Sequence, residues 1–140
     1  MFWPNMNKYF LHCIEIHHIS MYYCSMYSKE LLKGTIDTII LNLLANNEKM
    51  YGYEISQRVK EQTDGKILLK DGSLYPALHK LLKQGLLGFE EQKIGKRVRK
   101  YYFLTTQGKL EKEQHLIELR DFIKTMQQVI FNEYKLGFNS

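Results

Sequence analysis

Between Asp71 and Thr105 the period of the apolar residues changes once, and that change limits the folds open to the chain. Leu74, Leu78, Leu81 and Leu82 recur at helical spacing as one buried stripe, with Asp71 or Ser73 placed to cap the helix. Gly85 stops it. Leu86 to Lys93 and Val98 to Leu104 then read as two strands, which the turn at Gly95 joins into a hairpin. A helix running directly into a hairpin excludes both a pure helical bundle and an all-β sandwich.

The remaining elements follow from the same kind of periodicity. Ser28 can cap a helix whose apolar face over 30–45 is Leu32, Ile36, Ile39, Ile40, Leu43 and Leu44, and Asn46-Asn47 ends it. A second, shorter helix starts at Tyr51-Gly-Tyr-Glu-Ile, turns Ile55 and Val59 inward and closes near Asp64-Gly65. Lys66 to Lys70 is short and apolar enough for a small edge strand. Thr105 or Thr106 opens a last helix that reaches about Tyr134. The expected fold is mainly α: a winged helix-turn-helix domain (27–106) with a two-stranded wing, followed by a long dimerisation helix (107–136). Residues 1–26 stand apart as an N-terminal extension rich in Tyr, His, Met and Phe. The abrupt change of composition there makes Met26 the expected physiological start, against a competing reading of an extra amphipathic helix packed on the domain.

Size and composition agree with one folded domain plus an appended element: 140 residues, 44% hydrophobic and 25% charged. No apolar run approaches the ~18 residues a membrane span needs. The first 25 residues lack a secretory-signal layout because His12, Glu15, His17 and His18 interrupt any apolar core, so a cytoplasmic location is expected. Cys13 and Cys24 form neither a CxxC nor a zinc-ribbon spacing. His12, Cys13, His17, His18 and Cys24 carry metal-capable atoms, but no motif fixes their spacing, and no metal or cofactor is expected. Nor is there a Gly-rich phosphate loop, a nucleophile elbow or a carboxylate pair in an apolar setting, so the chain is not expected to be an enzyme.

Charge points to a partner. The net charge is +5, and residues 93–100 hold five cations (Lys93, Lys96, Arg97, Arg99, Lys100) and no acid. Mutual repulsion makes that density costly unless a polyanion offsets it, and a phosphate backbone does so through counterion release. The bland alternative is a solvated Lys/Arg face. Outward on the preceding helix stand Ser73, Tyr75, Pro76, His79, Lys80 and Lys83, residue types that reach base edges or phosphates when such a helix enters the major groove. On the last helix, Leu116, Leu119, Ile123, Met126 and Ile130 follow a 3-4-3-4 spacing, a short coiled-coil seam, with Phe122, Val129 and Tyr134 widening it. A lone helix cannot bury that stripe, so the same helix of a second subunit is the expected cover. Packing back on its own domain is the alternative.

Four motifs now stand in order: Leu31-Leu-Lys-Gly-Thr-Ile-Asp-Thr-Ile-Ile-Leu-Asn-Leu-Leu, Tyr51-Gly-Tyr-Glu-Ile, Gly72-Ser-Leu-Tyr-Pro-Ala-Leu-His-Lys-Leu and Arg99-Lys-Tyr-Tyr-Phe-Leu-Thr-Thr-Gln-Gly. Over residues 29–110 the chain resembles the PadR family of transcriptional regulators, and its last helix matches the short-tailed branch in position and length. Residues 1–25 have no counterpart. The resemblance implies a homodimeric bacterial repressor on a palindromic promoter site, hence double-stranded DNA as partner. The helix from Gly72 would read the groove, and Lys96, Arg97, Arg99 and Lys100 of the wing would grip the backbone. It also places Tyr53 near a phosphate and makes Tyr75 the leading DNA-facing aromatic, while Tyr51 and Tyr101 fit the core equally well. Family wings often read Gly-Arg-Pro-Arg-Lys; here Lys96 and Val98 replace Arg and Pro, keeping charge but losing the ring's rigidity. Some relatives bind planar aromatic drugs between tryptophans of the last helix. This helix has none, with Leu119 nearest that position and Phe122 able to line an apolar pocket for a small aromatic effector that stays unidentified. A winged-helix module docking an acidic protein through its wing is the alternative function.

Overall fold

Ser28 opens the first described helix, α1 (Lys29–Lys33), by accepting the Leu31 N–H on its Oγ at 3.3 Å. The structure, a computed structural model, describes residues 26–131; the readings of residues 1–25 and of the stretch beyond Phe131 fall outside them. The single helix expected over 30–45 is divided in two. The Thr35 hydroxyl and N–H both donate to the Leu32 carbonyl, at 3.0 and 2.9 Å, occupying the acceptor that a continuous helix would offer to Ile36. α2 (Ile36–Asn46) therefore starts afresh, burying Ile36, Ile40, Leu41, Leu43 and Leu44. Asn47 ends it as expected, its side-chain amide donating to the Leu43 carbonyl at 2.7 Å.

Next comes a strand the period could not reveal, β1 (Met50–Tyr51), and then α3 (Gly52–Gln62), with Ile55 and Val59 buried. Asp64 (φ 49°) and Gly65 (φ 76°) terminate α3, with Gly65 N–H reaching the Lys60 carbonyl at 2.8 Å. The edge strand expected at Lys66–Lys70 does not form. That segment is a packed connector: Ile67 N–H bonds to Thr63 Oγ1 at 3.1 Å, and Leu69 is buried in the core. The third strand of the sheet is β1.

α4 (Asp71–Lys83) buries Leu74, Ala77, Leu78 and Leu81, with Leu82 partly covered. Its N-cap is Lys70 and not Asp71 or Ser73; no side chain caps it, and the Lys70 carbonyl accepts the Ser73 and Leu74 N–H groups, both at 2.9 Å. Asp71 is instead the first helical residue, where its carboxylate favours the positive end of the helix dipole. Gly85 (φ 71°) closes α4, with Gly85 N–H on the Leu82 carbonyl and Leu86 N–H on the Leu81 carbonyl, both 3.0 Å.

β2 (Leu87–Ile94) and β3 (Arg97–Leu104) form the expected hairpin around a two-residue turn, Gly95-Lys96, with Gly95 at φ 61°. Positive φ at the first turn residue alone suits the type II′ geometry that matches strand twist. Register runs from Leu87↔Leu104 to Ile94↔Arg97, and β1 lies on the other side of β3 through Met50↔Tyr102 and Tyr51↔Tyr101. The sheet is therefore antiparallel and three-stranded, in the order β1-β3-β2. Ile40, Leu41, Ile55, Leu74, Leu78 and Leu81 are its fully buried counterpart on the helices; each contributes about 1.5–3 kcal/mol of hydrophobic stabilisation.

The last helix, α5 (Thr106–Phe131), is capped by Thr105, whose Oγ1 accepts the Gly108 N–H at 3.0 Å. Thr105 also ties back through its N–H to the Leu86 carbonyl at 3.1 Å and through its hydroxyl to the Gly85 carbonyl at 2.7 Å. Gly108 is buried at that junction, and a Cβ there would lie 2.0 Å from the Leu86 carbonyl oxygen. Gly108→Ala is therefore expected to cost about 3 kcal/mol by urea unfolding, the upper end of overpacking. By contrast, Gly34 has negative φ and open space around it, so Gly34→Ala should gain about 0.4–1 kcal/mol.

Tyr102 is buried on the core face of β3. Burial first, and the neighbouring Tyr75 second, raise its phenol pKa above the ordinary value of 10. A group raised in the folded state stabilises fully below the unfolded pKa and loses that contribution as pH climbs past it. Stability should accordingly decline above about pH 10, and less steeply in Tyr102→Phe, by denaturant midpoints across pH 8 to 11.

Candidate nucleic-acid interface

α4 turns its apolar stripe inward, which leaves Tyr75, Pro76, His79, Lys80 and Lys83 exposed and Ser73 half-buried. Pro76 sits inside the helix on this outer face, removing the N–H that would bond the Gly72 carbonyl. These residues are not equally available. Lys80 Nζ is ion-paired with Asp37 Oδ2 of α2, so part of its charge is spent holding α2 to α4. Lys83 and His79 have no ion-pair partner among the described residues.

Tyr75 has the most defined setting. It keeps 40% of its surface exposed, yet its ring lies so close to the start of α3 that a Cβ on Gly52 would stand 2.8 Å from the Tyr75 hydroxyl. The glycine between Tyr51 and Tyr53 is therefore there to admit Tyr75. Reading the two motifs separately missed Gly52 as a site residue; a small residue flanked by aromatics at a helix start was the only signal. Tyr53 is 59% exposed on α3 and stacks its ring on Tyr51 at 6.1 Å between centroids.

The hairpin sorts its cations by face. Opposite residues across an antiparallel pair share a face, and successive residues along a strand change it. Arg97, Arg99 and Tyr101 lie on one face, while Val98, Lys100 and the buried Tyr102 lie on the other. Lys100 sits 4.6 Å from the Phe89 ring centroid and 3.9 Å from Glu91 Oε1, so its charge is partly answered within the wing. Lys49 binds Glu90 at 2.8 Å, and the Glu90 carboxylate raises the Lys49 pKa, by hydrogen bond first and by its charge second. With both wing acids engaged, Lys93, Lys96, Arg97 and Arg99 have no carboxylate partner among the described residues. Arg99 is half-buried, its guanidinium 4.7 Å from the Tyr51 ring centroid. Tyr51 and Tyr101 meet edge to face at 5.6 Å on the outer side of the sheet and are half-buried. Tyr53, Tyr75 and Arg99 thus converge on the start of α3. Lys100 stands on the opposite face of the hairpin from Arg99.

On α5, Leu116, Leu119 and Met126 are half-buried, whereas Ile123 (48%), Ile130 (52%) and Phe122 (58%) stay open. Gly108 is the helix's one buried residue among those described. No described helix is long and apolar enough to cross a membrane. Among the described residues no cluster of three or more His, Cys, Asp or Glu side chains is placed to hold a metal; His12, Cys13, His17, His18 and Cys24 lie outside them.

Residues 40–114 match the model of the transcriptional regulator PadR-like family. The chain is similar to a transcriptional regulator from Clostridium thermocellum, 30% identical, with 73% of this chain and 99% of that one covered at a TM-score of 0.69. It is also similar to a PadR family transcription regulator from Clostridium difficile, 33% identical over 69% of this chain and 98% of that one, TM-score 0.58. A third similar structure is Bacillus subtilis PadR in complex with operator DNA, 33% identical over 59% of this chain and 47% of that one, TM-score 0.55. The motifs, the winged-helix fold and the match across more than half its length agree: this chain belongs to the PadR-like family of transcriptional regulators.

Proposed function

We propose that the chain is a sequence-specific double-stranded-DNA-binding repressor that answers to a ligand or stress and acts as a homodimer on a palindromic promoter site. One observation carries the reading: the wing's outer cations lie without carboxylate partners beside an exposed helix ridge, an arrangement that suits phosphates and base edges together. That B. subtilis PadR is solved on operator DNA supports it. Residues 27–106 would be the DNA-binding domain and 107–136 the dimerisation helix. Within the domain, Ser73, Tyr75, Pro76, His79, Lys80 and Lys83 face the groove, and Tyr53, Lys96, Arg97, Arg99 and Lys100 face the backbone. Lys80 takes part only by sharing its charge with Asp37, and Lys100 only from the wing's inner face.

The dimer would close through Leu116, Leu119, Ile123, Met126 and Ile130. A stripe with Ile123 and Ile130 about half-exposed costs solubility in a lone chain, and a second copy about a two-fold axis removes it from water. Leu119 and Phe122 would line any aromatic-effector pocket there. The reading is of a non-enzymatic, cytoplasmic regulator.

Binding to a duplex from upstream of its own gene should fall steeply with salt. Arg97→Ala combined with Arg99→Ala should weaken operator and random DNA alike and lower the log–log salt slope by about two. Salt-insensitive or absent DNA binding would instead favour the acidic-protein module. Tyr75→Ala should cost about 1–3 kcal/mol more at the operator than on random duplex; equal losses would confine Tyr75 to phosphate contact. Ile123→Asp should halve the mass seen by light scattering, and an unchanged mass would refute the seam.

A further inference from the structure

We infer that Tyr51 is a positioning residue: its ring holds the wing arginine Arg99 in place for a phosphate, tethering the hairpin to the start of α3. The inference deepens the DNA-binding reading and rests on it. Four contacts fix Tyr51. Its backbone pairs with Tyr101 across β1 and β3, and its N–H donates to Glu54 Oε2 at 2.9 Å. Its ring stacks on Tyr53 at an interplanar angle of 22° and takes the Tyr101 ring edge-on. The ring is thereby a rigid platform, and Arg99, two residues from Tyr101 on the same strand face, has its guanidinium 4.7 Å from the centroid.

The choice of partner matters chemically. A carboxylate under Arg99 would neutralise it and occupy the N–H groups a phosphate needs. A ring face attracts the cation electrostatically while leaving its five N–H donors unspent. The wing's other restrained cation, Lys100, has Glu91 as well as Phe89, and Lys80 of α4 has Asp37. Arg99 is held by a ring and makes no ion pair among the described residues, its nearest same-face acid, Glu90, being bound by Lys49. The next residue, Gly52, is the seat of the Tyr75 ring. One dipeptide, Tyr51-Gly52, therefore sets both the wing cation and the helix aromatic relative to each other.

The test is a double-mutant cycle on a random-sequence duplex, because phosphate contact does not depend on sequence. Tyr51→Leu should weaken binding about threefold, the scale of a partly exposed cation–π contact, and Tyr51→Phe should restore it. In an Arg99→Gln background, Tyr51→Leu should add nothing. In the free protein, the side-chain NMR signals of Arg99 should carry an upfield ring-current shift that survives Tyr51→Phe and vanishes in Tyr51→Leu, with circular dichroism confirming that each variant folds. Equal losses in both backgrounds, or a Tyr51→Phe variant as weak as Tyr51→Leu, would overturn the tether, as would an unshifted Arg99 signal should Tyr51→Leu fail to fold. Wild-type protein that binds no duplex while keeping the shifted signal would overturn the DNA-binding reading instead, and with it the purpose assigned to the tether.

Discussion

The fold depends on a junction at Gly85, Leu86, Thr105 and Gly108. The end of α4, the start of β2, the end of β3 and the start of α5 all meet there. Leu86 N–H bonds back into α4, the Leu86 carbonyl accepts from Thr105, and Gly108 lets the first turn of α5 lie on that carbonyl. A backbone oxygen at such range leaves no freedom to adjust. The hairpin leaves the core at a set angle, and the last helix departs from the same point. Core burial supplies the stability, but this junction supplies the geometry.

Around it, charge is distributed by pairing and not by number. Twenty Lys and Arg residues against fifteen acids suggest only a mild excess. In space three acids beside the candidate interface are engaged: Asp37 by Lys80, Glu90 by Lys49, Glu91 by Lys100. The pairs made by Lys49 and Lys100 are exposed and add little to stability, and the Lys80–Asp37 pair has a half-buried carboxylate. Their larger effect is on which cations face outward alone. The outer edge of the hairpin is what the pairing leaves over.

Much of this was legible in the sequence. The stripes of α2, α3 and α4, the Gly85 stop, the Gly95 turn and the Thr105 cap each rest on a local rule, and local rules act on residues close in the chain. What escaped were effects set by contact between distant segments. β1 is two residues long, too short to show a period, and exists because β3 offers it an edge. Lys66 to Lys70 reads as a strand by composition but packs as a connector, with Leu69 in the core and Ile67 N–H on Thr63. The break at Gly34 turns on one carbonyl accepting two donors from Thr35. At the site, the outward ridge of α4 was readable, while the pairing of Lys80 with Asp37 and the seating of Tyr75 on Gly52 needed three dimensions.

The buried first turn of α5 has a mechanical meaning. The helix runs 26 residues from inside the domain, about 39 Å at the usual rise, with no flexible joint between it and the hairpin. It is a rigid arm rooted at Gly108. In the proposed dimer, a tilt of a few degrees along its free length would displace the wing by several ångströms relative to its counterpart. If two copies match one surface to a DNA repeat, as proposed above, that stiffness converts small repacking far along the helix into a mismatch of spacing.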